Sequence, residues 1–348
     1  MTDAKHPWLR TGAIGVSAVV APLAAGIAYS ALAIDHAIPL APAIEAERRT
    51  LRSAHAGQVA YYADEHAAGR PLLLIHSINA AASAYEMRPL FEHYRDTRPV
   101  YALDLPGFGF SERSDRVYTP SLFTDAVLDL LRIMTSGREA ADVVALSLGS
   151  EFAARAARAA LEQPDLIRSL TLISPTGLTI RMQRNRSEQA GVSPVGATVN
   201  RALRFPLWSQ AFYDLVASKA SIHYFLQRSF VGEPDPGLVA YAFATAHQPG
   251  ARFAPLAFLS GRLFSPGIRE EVYERLSLPV LTLYDQDAFV GFDALPDVLA
   301  RNPRWRAMRL APSKGLPQFE RLDETTRALE AFWQEVGVGR AEAMPQLP

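Results

Sequence analysis

The chain has 348 residues, with 35 basic and 36 acidic side chains, a formal charge of −1, eight histidines and no cysteine. Such a length suits one large domain or two smaller ones and buries a sizeable core without staples. The missing thiols exclude disulfides, zinc–thiolate centres, iron–sulfur clusters and cysteine nucleophiles; the balanced charge argues against nucleic acid as a partner, and 49% apolar residues exclude a disordered chain.

In chain order, the first feature is an uncharged run from Thr11 to Ile34. A helix rises ~1.5 Å per residue, so this run is long enough for a hydrocarbon core of roughly 30 Å. Lys5 and Arg10 precede it and Asp35 follows, an order that keeps the N-terminus in the cytoplasm and places the rest on the extracytoplasmic side. The run therefore reads as a membrane anchor through residues 11–34. A second reading is a cleaved signal peptide, with Ala31-Leu32-Ala33 as the small-x-small site, which would leave the protein secreted or periplasmic. A third is an Ala/Gly-rich helix packed on the body, which Pro22 and the weak hydrophobicity favour. Ala41-Pro42 and the charged stretch Glu45–Arg49 read as a linker, so residues 1–44 form an anchor or signal segment plus linker.

After residue 50, short apolar runs alternate with helical stretches. Gln58–Tyr62, Pro71–His76, Pro99–Asp104, Asp142–Leu146, Arg168–Ser174 and Pro279–Tyr284 read as strands, most of them continuous apolar runs suited to burial on both faces. Ser121–Met134 has helical spacing at Leu122, Val127, Leu130, Leu131 and Met134; Glu151–Glu162 and Arg327–Val336 are further helices. This alternation predicts a mostly parallel sheet flanked by helices. The interval 178–276 breaks it. Aromatic and rich in Pro and Gly, it reads as a helical insertion between residues 45–177 and 277–340, its first part, Arg181–Arg204, being basic and mobile.

Between a buried strand and a helix lies Ala145-Leu-Ser147-Leu-Gly149, the setting of a nucleophile elbow, in which small residues two before and two after the serine let the turn close. His76-Ser77-Ile78-Asn79 follows a strand, Asp104-Leu-Pro-Gly-Phe-Gly-Phe-Ser111 follows the next, and Tyr284-Asp-Gln-Asp287 ends a later one. With these four motifs in this order, the chain resembles the α/β-hydrolase superfamily over roughly residues 50–336, with the insertion in the place of that family's cap. The resemblance implies an α/β-hydrolase fold: a mostly parallel central sheet flanked by helices, a helical cap, and here an N-terminal hydrophobic helix. It implies Ser147 as nucleophile, Asp287 as triad acid, and the backbone amides of Ile78 and Leu148 as the oxyanion site. No cofactor and no metal site are expected.

The departures are specific. The family's catalytic histidine follows the acid, in a G-H-x-P-x-x-E-like segment before the last helix. Here that stretch reads Lys314-Gly315-Leu316-Pro317-Gln318-Phe319-Glu320, with Gly315 at the histidine position, and His247 is the last histidine in the chain. Ser77 and Tyr284 also replace glycines usual at two site-lining turns. Without a base, a serine hydroxyl is a poor nucleophile at neutral pH, although a triad lacking one member retains ~10³–10⁴-fold catalysis over water. Lys314, His247 and His223 are candidate substitute bases, each with an ordinary structural role as its alternative; His76 is expected to hold the oxyanion loop by hydrogen bonds. Two functions follow. One is a membrane-associated serine hydrolase acting on an apolar, ester-like small molecule through an incomplete triad. The other is a catalytically inactive descendant that binds a ligand or a protein partner.

Overall fold

The computed structural model describes residues 24–160, 163, 166–179 and 194–343. Eight strands form one sheet in the order β1-β2-β4-β3-β5-β6-β7-β8. They are β1 (Glu47–Ser53), β2 (Gly57–Asp64), β3 (Leu72–Ile75), β4 (Val100–Leu103), β5 (Ala141–Leu146), β6 (Ile167–Ile173), β7 (Val280–Tyr284) and β8 (Trp305–Arg309). The β1–β2 and β2–β4 pairs are antiparallel, and every other neighbouring pair is parallel. Every residue of β3, β4, β5 and β6 is buried, as suits largely apolar strands covered on both faces.

The two edges differ from the sequence reading. Residues 47–49, expected in a linker, begin β1, and β8 was not anticipated. Both strands are paired on one side only and keep their charged side chains in solvent, so they lack the apolar signature of the inner strands.

Helices α1 (Arg88–Tyr94), α2 (Pro120–Met134), α3 (Gly149–Ala159) and α12 (Leu322–Ala343) cover the sheet. α2 starts where Thr119 accepts the Leu122 amide and Pro120 takes the first helical position, where its missing N–H is no loss. On one face, Phe123 of α2 stacks on Phe152 of α3 with ring centroids 4.7 Å apart. On the other, Phe91 and Tyr94 of α1 share a core with Leu329 and Trp333 of α12.

The helical insertion lies between β6 and β7. It comprises α4 (Pro194–Leu203), α5 (Ser209–Val216), α6 (Lys219–Gln227), α7 (Pro236–Ala246), α8 (Phe253–Leu259) and α9 (Ile268–Glu271). It has a small core of its own around Tyr213, Ile222 and Ala246. The basic stretch 181–204 lies in part outside the described residues.

Residues 24–33 are helical. Ser30 is buried and donates to Asp214 Oδ2 of α5 at 2.5 Å; Tyr29 and Leu32 are exposed. His36 Nε2 lies 3.0 Å from Asp214 Oδ2, and Gln248 donates to the Ile38 carbonyl at 2.6 Å. The segment thus lies along the insertion. Among the described residues no helix is long and apolar enough to cross a membrane; residues 11–23 of the expected anchor lie outside them. Helix α10 (Leu295–Arg301) lies between β7 and β8, and Lys314 lies between β8 and the short helix α11 (Pro317–Glu320).

Candidate active site

Ser147 follows the last residue of β5 and precedes α3. Its φ of 51° is left-handed, a conformation that a side chain rarely adopts and that persists only when the surroundings enforce it. Two contacts do so. The Ser147 amide donates to the Ile173 carbonyl of β6 at 2.8 Å, and the first turn of α3 packs against β3. There a Cβ on Gly149 would stand 2.3 Å from the His76 carbonyl oxygen, so only glycine fits. The second small residue of the motif is therefore required by close approach of two backbones. The Ser147 hydroxyl has no hydrogen-bond partner among the described residues, and neither do the Ile78 and Leu148 amides.

His76 is wholly buried and fixes the loop that carries Ile78. The Leu105 amide donates to Nε2 at 2.9 Å, so Nε2 carries no hydrogen; Nδ1 carries it and donates to the Ser77 carbonyl at 2.6 Å. Burial holds this imidazole down at about 4, and it stays neutral. It joins the His76 loop to the Asp104 loop, the structural role expected from the sequence.

Glu86, which the sequence reading passed over, makes the second clamp. Its Oε2 accepts the Ser77 amide at 2.8 Å, and its Oε1 accepts the Ser77 hydroxyl at 3.0 Å and Asn79 Nδ2 at 2.9 Å. The side chain is buried, which raises its pKa against the lowering by those donors. Gln318 of α11 donates to the Glu86 carbonyl at 3.0 Å, so this loop is also tied to the segment around Gly315.

Asp287 lies after β7. Its Oδ1 accepts the Phe289 and Val290 amides at 2.7 and 3.1 Å, and its Oδ2 accepts the Ser174 hydroxyl at 2.8 Å. Burial raises its pKa, partly countered by those donors. Ser174, at the end of β6, also has a left-handed φ, 46°. Gly315 faces Asp287: its φ is +114°, and a Cβ there would stand 2.9 Å from Asp287 Oδ2.

Ser147, Ile78, Leu148, Asp287 and Gly315 line one cavity of about 860 Å³ beneath the insertion. Its walls are largely apolar, with Phe212, Ile222, Leu226, Leu238 and Phe258 from the insertion. Phe225, Leu259 and Phe289 line it and are also exposed, so they form its mouth. Glu151, in the first turn of α3, is buried on its wall. It accepts the Thr176 hydroxyl at 2.5 Å and the Ser265 amide at 2.7 Å.

A family model described as "Alpha/beta hydrolase family" matches residues 72–331. The chain belongs to that family. It is 28% identical over 120 residues, 34% of its own length, to a protein named 2-(acetamidomethylene)succinate hydrolase from Mesorhizobium japonicum, and spans 41% of that relative. A probable hydrolytic enzyme from Pseudomonas aeruginosa superposes with a TM-score of 0.65 at 19% identity, covering 85% of this chain and 98% of its own. A crystal structure of a bacterial membrane phospholipase A superposes at 0.63, also at 19% identity, covering 95% of this chain and 99% of that one. At these identities the two structures show the fold.

In this α/β hydrolase the three substitute bases named from the sequence stand apart from the serine. Lys314 is half-buried and lies next to Gly315, but it is not part of the cavity wall. His223 is exposed on α6. His247 is buried at the end of α7, bonded through Nδ1 to the Phe243 carbonyl at 2.7 Å and stacked with His36. Neither histidine lines the cavity. The structure thus brings Ser147, Asp287, Ile78 and Leu148 to one cavity and leaves Lys314, His223 and His247 outside it. Glu86 had one sequence signal, a lone acid in the otherwise uncharged stretch Ala80–Met87. Glu151 had another, four residues past Ser147 on the buried phase of α3.

Proposed function

We propose that this protein is a membrane-associated serine-type hydrolase that cleaves ester-like bonds in an apolar small molecule through an incomplete triad. One observation carries the reading. Ser147 is held at a left-handed φ with an unpartnered hydroxyl, on the wall of a cavity of about 860 Å³ that also exposes the unpartnered Ile78 and Leu148 amides. In this reading Ser147 Oγ attacks the carbonyl carbon. Ile78 and Leu148 N–H groups take the oxyanion, which is worth several kcal/mol in such sites. Water or a weak base receives the proton, so turnover is slow. The named activity of the Mesorhizobium relative supports hydrolysis; its succinate moiety suits this cavity poorly, because Glu86, Glu151 and Asp287 face the ligand space. Membrane association rests on the uncharged run 11–34 and its flanking charges, with the main domain on the extracytoplasmic side.

A second reading, a ligand- or protein-binding descendant without catalysis, is favoured by Gly315, whose φ of +114° suits no histidine. Incubation with a fluorophosphonate probe and with alkyl esters decides between them. Labelling and hydrolysis that vanish in Ser147→Ala establish the enzyme. A protein that takes no label and turns over no ester, yet retains a ligand through purification, is the binding descendant.

A further inference from the structure

The strip of cavity wall formed by Gly315 and Asp287, with the buried Ser174 behind it, has a shape that the triad arrangement leaves unused. A Cβ on Gly315 would lie 2.9 Å from Asp287 Oδ2, 3.5 Å from its Cγ and 3.9 Å from Ser174 Oγ. A side chain therefore cannot start here without strain, both because of φ +114° and because its first atom meets the carboxylate. The same surface is open from the other side: Gly315, Asp287 and Ser147 all line the cavity.

The carboxylate is set to receive a donor from that side. Asp287 Oδ1 already accepts two amides, and Oδ2 accepts one hydroxyl. An ionised carboxylate offers about four acceptor sites, so Oδ2 has capacity for one more N–H. The three existing donors fix the carboxylate in place, and a donor arriving from the cavity meets it with no reorganisation.

We infer that the notch formed by Gly315, Asp287 and Ser174 binds a nitrogen base carried by the ligand itself, an imidazole or an unhindered amine, with its apolar body lying along the phenylalanine and leucine wall of the cavity. Imidazole suits the notch because one nitrogen donates to Asp287 while the other is left free toward the cavity. The binding claim stands by itself. Its catalytic consequence rests on the proposed Ser147 chemistry. There, the free nitrogen takes the Oγ proton as the Oγ–carbon bond forms, and returns it to the departing alkoxide as the ester C–O bond breaks. Water then repeats the sequence on the acyl-serine, giving acid and alcohol in net hydrolysis.

The experiment uses the full chain, imidazole as probe and ethyl octanoate as ester, an alkyl ester chosen because free imidazole barely attacks it. At pH 8 most imidazole is neutral. Binding is read by saturation-transfer NMR, turnover by pH-stat. The expected result is saturable binding that weakens roughly tenfold or more in Asp287→Ala, the loss of one charge-assisted hydrogen bond, and likewise in Gly315→Ala, which keeps the carboxyl group but crowds Oδ2 with a Cβ. Turnover should rise with imidazole, saturate at the concentration that saturates binding, and be absent in Ser147→Ala. No binding to the native chain, or binding unchanged in both variants, overturns the inference. Binding without turnover supports the notch and counts against Ser147 as a working nucleophile. Saturable, variant-sensitive binding with turnover that imidazole leaves unchanged supports the notch and the serine and overturns the bound base as the proton acceptor.

Discussion

Gly315 and Asp287 face each other so closely that a Cβ on the glycine would stand 2.9 Å from the carboxylate Oδ2. From the resemblance, Gly315 is the residue expected at the family's histidine position, and its φ of +114° is one that a histidine rarely adopts. A non-glycine residue in such a conformation costs on the order of 1–3 kcal/mol. Gly315→His is therefore expected to lower the melting temperature and to raise ester hydrolysis by less than roughly tenfold, far below the ~10²–10⁴-fold that a well-placed general base contributes. A large gain in rate at unchanged melting temperature would show that the segment takes another φ.

Glu86 is expected to position the oxyanion loop. Glu86→Gln places an amide N–H₂ among three donors and leaves one of them unsatisfied, at a cost of about 1–3 kcal/mol. Steady-state kinetics on a slowly hydrolysed ester should show kcat falling with KM little changed, because Ile78 acts on the developing oxyanion and not on the bound ester. A fall in stability with kcat intact would limit Glu86 to a structural part.

His76 gives a signed pH effect. Its folded pKa, about 4, lies below the ordinary value of 6.5. The unfolded chain therefore takes up the proton first, so the stability linked to this group is complete above about pH 6.5 and is lost as pH falls toward 4, to a limit of about 3 kcal/mol. Asp104 opposes it in part. Burial raises its carboxyl to about 6, so its contribution is complete below its ordinary pKa and falls as pH rises through 6. Comparing denaturation curves of the native chain and His76→Asn from pH 4 to 7 isolates the histidine, since Asp104 is common to both. Parallel curves would show that His76 titrates normally.

The N-terminal segment separates two roles by length. Deleting residues 1–23 is expected to release the protein from membranes while leaving its melting temperature unchanged. Deleting residues 1–40 also removes the Ser30 and His36 contacts to the buried Asp214 and the Ile38 carbonyl that Gln248 bonds. Asp214 then keeps Gln210, at 2.8 Å, as a partner. A loss of about 1–3 kcal/mol is expected from unpairing buried polar groups, read as a lower melting temperature. Full-length protein that stays in the aqueous phase without detergent would refute the anchor.

What the sequence made legible follows from how each feature is encoded. Ser147, Asp287 and the His76 loop sit where inner strands end, and inner strands announce themselves by apolar runs such as Leu72–Ile75 and Val143–Leu146. The reading of Gly315 at the histidine position rests on the resemblance and its fixed chain order, with His247 the last histidine in the chain. The strands β1 and β8 were missed because an edge strand satisfies half its backbone and faces water, so Glu47–Arg49 and Arg306–Arg309 look like loops. Glu86 escaped because its role arises from donors of Ser77 (amide and hydroxyl), Asn79 and Gln318 (side-chain amides), which no local pattern links to it.

The Glu151 carboxylate holds the Ser265 amide of the insertion and the Thr176 hydroxyl of the core, and it stands in the first turn of α3, four residues beyond Ser147. Insertion and core are therefore joined through a single buried side chain close to Ser147. An insertion that moved away at Ser265 would break that joint, so ligand passage through the Phe225–Phe289 mouth is expected to leave it closed.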